Sequence, residues 1–307
     1  MTADSQLLNE TLLNHLETPG MEKKAADAIS SYTRMKMRED GFMRPILPDV
    51  TITNSELDRQ AETPKPVKII DKEPDSPAAV SVAFATLPTN TYIRGSRYSV
   101  MFDRIMTNRF VVDVDEIRTW DMDIRQIVSD QATTEVLAEE DRKFLVAVNT
   151  GMLGPDVSVP YNADKPLWVT LHGGIVRNTV TEALKVMPRG YSRLICETVL
   201  VNNVSVIDFL KWNREETGGD LSADMLKSGQ VVKDLLGKTW VITIKQDLVP
   251  EDTMYQFAGA KWLGKHLCLE PAKMYIKKEA FMVEFFLYQT SGASIGNMSG
   301  CARIDFK

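Results

Sequence analysis

Residues 121–149 read Asp121-Met122-Asp123-Ile124-Arg125-Gln126-Ile127-Val128-Ser129-Asp130-Gln131-Ala132-Thr133-Thr134-Glu135-Val136-Leu137-Ala138-Glu139-Glu140-Asp141-Arg142-Lys143-Phe144-Leu145-Val146-Ala147-Val148-Asn149. Ile124, Ile127, Val128, Leu137, Phe144, Leu145 and Val148 stay near one face of an α-helix. Glu139, Glu140, Asp141, Arg142 and Lys143 are expected on the other, as a solvated face. At 1.5 Å per residue the helix spans roughly 40 Å. That length suits a spine across a flat subunit better than an element of a compact globule.

Upstream, residues 67–118 read as β-structure. Val80, Val82 and Phe84 alternate; so do Tyr98, Val100 and Phe102, and Phe110, Val112 and Val114. Leu87-Pro88-Thr89-Asn90 marks a turn between the first two runs. A protruding two-stranded loop fits, and isolated hairpins need a partner surface. Residues before 60 read as an arm. Leu8, Leu12 and Leu16 recur at helical spacing. Thr18-Pro19 then starts a second helix with Ala25, Ala28, Ile29, Tyr32 and Met35 on one stripe. Beyond Gly41, prolines punctuate the chain at Pro45, Pro48, Pro64, Pro66, Pro74 and Pro77. So polar and proline-rich a segment is expected to need a neighbouring subunit for order.

Downstream, a helix is expected over Ile175–Met187 and a strand over Leu194–Val201. Asn203 would cap a helix over Ser205–Trp212. A polar tip comes next, Arg214-Glu215-Glu216-Thr217-Gly218-Gly219-Asp220. The remainder reads mostly as strand: Trp240–Leu248, Lys273–Ile276, Ala280–Thr290 and Cys301–Phe306. Phe281, Val283, Phe285 and Leu287 share one face of the third of these, with Phe286 and Tyr288 on the other.

The 307 residues allow one large or two medium domains. With 44% hydrophobic and 25% charged residues, the chain has the composition of a soluble globular protein. A net charge of −6 argues against a protein built to grip phosphate backbones. Cys196, Cys268 and Cys301 are far apart and odd in number, so they read as buried hydrophobes made in a reducing cytoplasm. The N-terminus lacks a signal-peptide pattern, and no stretch reaches the roughly 20 apolar residues of a membrane span.

Catalytic patterns are weak. Gly292-Ala293-Ser294-Ile295-Gly296 matches the nucleophile elbow of α/β-hydrolases, and His172-Gly173-Gly174 resembles part of their oxyanion motif. The elbow needs a following helix, an acid and a histidine, and no histidine comes after Gly296. A serine hydrolase using Ser294 is therefore the distant alternative, and a glycine-rich turn the plain one. His15, His172 and His266 are scattered and show no metal-ligand spacing. No phosphate loop is present. No catalytic, cofactor or metal residue is assigned. Arg94, Arg97, Arg104, Arg109 and Arg118 alternate with Asp103, Asp113, Asp115 and Glu116. They read either as edge defence or as a register-setting surface for a neighbour.

The order of arm, long β-loop, spine helix, mixed α/β tip and closing strands resembles the Hong Kong 97-type coat fold of tailed-phage major capsid proteins. Arg97-Tyr98-Ser99-Val100-Met101-Phe102-Asp103-Arg104-Ile105 is similar to the returning side of that family's extended loop. Glu139 to Phe144 resembles its spine helix. Leu235-Leu236-Gly237-Lys238-Thr239-Trp240-Val241-Ile242-Thr243-Ile244-Lys245 is similar to its return from the axial to the peripheral domain. Leu248-Val249-Pro250, Leu263-Gly264-Lys265, Phe281-Met282-Val283-Glu284-Phe285 and Ile295-Gly296-Asn297 continue the pattern, which covers roughly residues 60–307.

The resemblance implies an α+β chain in five parts: an N-terminal arm (1–61), an extended β-loop (62–118), a peripheral domain with the spine helix (119–164), an axial domain (165–245), and the closing strands of the peripheral domain (246–307). It implies self-assembly through hexameric and pentameric capsomers into an icosahedral shell. Arg94, Arg97, Arg104, Arg109, Arg118, Arg214, Glu215, Glu216 and Asp220 are the interface candidates, the last four meeting at the symmetry axes. The implied partners are a separate scaffolding protein, a portal protein, a cement protein, and packaged double-stranded DNA held on the inner face without sequence specificity. The implied place is the virion, after synthesis in the host cytoplasm. An encapsulin-type compartment is the nearest alternative.

Overall fold

A computed structural model describes residues 10–14, 41–59, 63–72, 81–84, 86–87, 95–119, 124–152, 167–190, 193–208, 234–235 and 237–307. Its axis is a helix over Ile124–Met152. The buried stripe runs Ile124, Val128, Ala132, Val136, Leu137, Phe144, Leu145, Val148 and Met152, the i, i+4, i+8 spacing of one helical face. The first half of this helix packs on one sheet and the second half on another, so it bridges two layers.

The first sheet is built on a long hairpin. β11 (Gly264–Glu279) and β12 (Met282–Ile295) pair antiparallel along most of their length. β1 (Asp49–Thr51) adds parallel to β11; β4 (Asp103–Met106) and β5 (Phe110–Asp113) add antiparallel to β12. The strands alternate as two-residue periodicity demands. Met274, Ile276, Val283, Phe285 and Leu287 bury against the helix. Tyr275, Phe286 and Tyr288 pack with tilted rings on the opposite face, with Tyr275 and Phe286 centroids 4.8 Å apart. Pro271 sits where the register shifts, beyond the last β1 pairing at Cys268, so its missing N–H breaks no ladder on that side.

The second sheet runs β6 (Leu167–Leu171), β13 (Cys301–Phe306), β10 (Thr253–Ala258), β7 (Cys196–Asn202), β9 (Lys238–Thr243) and β8 (Asp234–Leu235). β10 is buried on both faces. Met254 and Ala258 meet the helix Arg177–Leu184 and the short helix Val186–Arg189, while Tyr255 and Phe257 meet the long helix. Residues 246–307 are therefore shared between the sheets, and a boundary at 245 does not separate them. Elsewhere β2 (Val67–Lys72) and β3 (Ser96–Met101) form a separate antiparallel ribbon. The base of the ribbon, Val100 with Phe102 beyond it, packs on Leu267. Gly292 lets it approach: a Cβ there would collide with the Met101 carbonyl.

Several expectations are corrected. Val82 and Phe84 are exposed and outside any strand. Val114 opens a helix, Val114–Thr119, because Asp113 accepts the Asp115 N–H and turns the chain. Asn202 caps the next helix, Asn203–Ile207, by accepting the Val204 N–H, one residue before the expected cap. Phe281 lies in the hairpin turn, after Ala280 with φ 53°, and is exposed. The arm is not wholly dependent on a neighbour. In the helical segment 10–14, Leu12 and Leu13 bury in the core of the first sheet, and Phe42, Met43, Ile46 and Leu47 bury in the second. The stripe from Ala25 to Met35 lies outside the described residues.

The three cysteines are buried, and none is joined in a disulfide. Burial pushes the Cys196 and Cys301 thiols up to about 12, where the reactive thiolate is scarce. The native chain should therefore leave a thiol-specific disulfide reagent unconsumed, and the denatured chain should consume three equivalents. Rapid uptake by the native chain would show that this packing is wrong.

Candidate functional site

The helical spacing that buries Phe144 and Leu145 also buries Glu140 and Asp141, one turn earlier. They are 2% and 1% exposed, and the expected solvated face is reduced to its flanks. Glu139 and Arg142 do pair at the surface, 2.7 Å apart. Asp141 accepts the backbone N–H groups of Phe42 and Met43, at 3.4 and 2.9 Å, where the short helix Met43–Ile46 begins. Lys245 reaches it at 2.5 Å from beyond β9. Burial pushes the Asp141 carboxyl above the usual aspartate range, against Lys245 and the two N–H donors. Glu140 accepts from Arg44 Nε and Nη2, at 3.0 and 3.1 Å, and from the Gln289 amide. Arg44 also faces Asp49 at 3.5 Å. Its burial lowers the guanidinium pKa, but the Glu140 hydrogen bond and the charges of Glu140 and Asp49 leave it raised on balance. Two neighbouring helix carboxylates thus fasten residues 42–49 onto the spine. Composition hides this arrangement, although the i+4 spacing from Phe144 and Leu145 signals it.

The arginine candidates do not form one cluster. Arg97 pairs with Asp71 across the β2–β3 ribbon at 2.7 Å. Arg109 faces Glu284 at 3.7 Å and Arg118 faces Asp115 at 3.3 Å. Arg104 lies opposite Thr290, so Arg104 and Arg109 flank the same edge of β12. All four are exposed, and exposed pairs add little to stability. Arg94, Arg214, Glu215, Glu216 and Asp220 lie outside the described residues.

The Gly-x-Ser-x-Gly match is not an elbow, and the expected turn begins only at its end. Ser294 continues β12 opposite Lys265, while His266 lies opposite Ala293. Adjacent positions on a strand project to opposite faces, so Ser294 and His266 diverge. Among the described residues, no group of three or more His, Cys, Asp and Glu could hold a metal ion. No helix there is long and apolar enough to cross a membrane.

A long bridging helix, a hairpin sheet with one covered face, a second six-stranded sheet and a projecting ribbon define the architecture. It is similar to the mature capsid of bacteriophage PhiM1, with TM-score 0.60, 9% identity and 87% of each chain covered. The chain has the Hong Kong 97-type coat fold. The cyanophage P-SCSP1u capsid gives TM-score 0.60 at 10% identity, covering 85% of this chain and 86% of that one. The virus-like particle from Pyrococcus furiosus gives 0.53 at 10%, covering 91% and 98%. No family model and no curated protein matches the sequence.

Proposed function

We propose that this chain is the major capsid protein of a tailed phage, a subunit that assembles into an icosahedral shell around packaged double-stranded DNA. The observation that carries the reading is a pair of apolar side chains unprotected by their own chain. Between β2 and β3, Phe84 is 104% and Leu87 93% exposed, where a monomer gains nothing from them and a neighbouring subunit would. The likeness to phage capsids over most of the chain supports the same reading. The first sheet with the spine helix serves as the peripheral domain and the second sheet as the axial domain. The 214–220 tip meets its symmetry copies within hexamers and pentamers, and the arginines of the ribbon and the β12 edge set the register of neighbours. A scaffolding protein directs assembly, a portal protein takes one vertex, and a cement protein braces the outside. The subunit is made in the host cytoplasm and ends in the virion.

An encapsulin-type compartment is the second reading, favoured by the likeness to the Pyrococcus furiosus particle. Negative-stain microscopy of the purified chain, alone and with its scaffolding protein, should show closed shells. Particles from the native source should protect double-stranded DNA from nuclease. Protected protein cargo without DNA would favour the compartment, and a monodisperse monomer under all conditions would overturn both.

A further inference from the structure

His266 is 1% exposed, and neither ring nitrogen has a hydrogen-bond partner among the described residues. Two carboxylates stand close without bonding to it, Asp49 at 3.5 Å from Nδ1 and Glu140 at 3.9 Å from Nε2. Both already face Arg44. The ring therefore sits among one cation and two anions, contributing no hydrogen bond to them. A buried imidazole without partners is costly, and its protonated form more so. One neighbour of the ring is weakly held. β1 is a three-residue edge strand with Asp49 in register with His266, and its three residues are exposed. Short edge strands open at low free-energy cost.

We infer that His266 is an acid-operated latch on residues 41–51: neutral, it stays packed beside Asp49 of the edge strand, and protonated, it drives that strand off to reach water. The opposing groups can be named from each packed element. The 42–47 segment brings Arg44, which repels a charged imidazole. β1 brings Asp49 and the spine helix brings Glu140, which attract it but are engaged by Arg44. Lys143 and Asp103 line a cavity of ≈ 360 Å³ together with Glu140 and His266 itself, and pair with each other at 3.6 Å. β12 contributes no titratable group between Ser291 and Ile295. Asp141, one residue along, is matched by Lys245.

Burial outweighs the two carboxylates and lowers the imidazole pKa below the usual histidine range. A lowered histidine favours the closed state at neutral pH. That advantage is lost as pH falls below about 6.5, the ordinary histidine value, toward the depressed one. The latch concerns the root of the arm within one chain and does not depend on the shell reading.

The test is hydrogen exchange followed by mass spectrometry on the full chain at about pH 7.5 and about pH 5.5, corrected for intrinsic exchange. In the wild type, peptides spanning 41–51 should lose up to about tenfold of their protection at the lower pH, the most that one histidine with an open-state pKa near 6.5 can supply. Peptides from the second sheet should keep theirs. His266→Gln, which cannot titrate, should show no such step. A wild type with no step, an equal step in the variant, or a loss spread over the whole chain would each overturn the latch. Should the glutamine variant fail to fold, the imidazole titration of the wild type decides by NMR. A His266 that titrates at or above the ordinary value overturns the proposal, and one that titrates below it supports it.

Discussion

Replacing Lys245 with alanine should destabilise the folded chain by about 3–5 kcal/mol, the usual cost of stranding one partner of a buried ion pair. Asp141 is 1% exposed. Among the described residues Lys245 is its cationic partner, at 2.5 Å, with the Phe42 and Met43 N–H groups as its other donors. Without the ammonium, the carboxyl must stay charged in an apolar setting or take up a proton. Its pKa, already raised by burial, would rise further. The reverse change, Asp141→Ala, frees two backbone donors, but Lys245 at 19% exposure can turn to water. It should therefore cost less. Replacing both with apolar residues of similar volume should recover much of the loss. Urea denaturation of the unassembled chain measures all three variants. A Lys245→Ala loss below about 1 kcal/mol would show that the pair does not hold the arm root to the spine.

The range of the forces that set each feature decides whether its sequence reveals it. The alternation Val283, Phe285, Leu287 against Phe286, Tyr288 is local, and the strand matches it. The helix is recoverable for the same reason, from Ile124 to Val148. Glu140 and Asp141 are misplaced when composition is weighed above spacing. Their i+4 neighbours Phe144 and Leu145 put them on the buried stripe, and only Arg44 and Lys245, distant in sequence, make that burial tolerable. Ser294 fits a motif whose context, a strand running opposite Lys265, is set by long-range pairing. The lone histidine carries no signal at all. His266 matters through Asp49 in register across a parallel pair, a relation that single-residue patterns cannot express. The burial of Leu12 and Leu13 in the first core is likewise a long-range contact, and it takes part of the arm out of the set of elements awaiting a neighbour.

The other large effect belongs to the loop. Phe84→Asp combined with Leu87→Asp should abolish closed shells while leaving the subunit folded. No charged residue occurs from Ser76 to Ile93, and Phe84 and Leu87, in the connection between β2 and β3, are fully exposed. Because they bury nothing in the free chain, their loss should change its stability by no more than about 0.5 kcal/mol. In a shell the balance reverses. Seating two such side chains on a neighbour is worth roughly 3–6 kcal/mol in removed apolar surface, before ordering costs. A carboxylate placed in that seat adds a desolvation penalty in the opposite direction. The contact recurs at every subunit, so even a fraction of that change acts on the whole assembly equilibrium. Circular dichroism should match the wild type, and light scattering should show subunits or open capsomers. Phe84→Leu, which keeps an apolar side chain, should still assemble. Closed shells from the double aspartate variant at wild-type yield would mean that the exposed loop has no neighbour to meet.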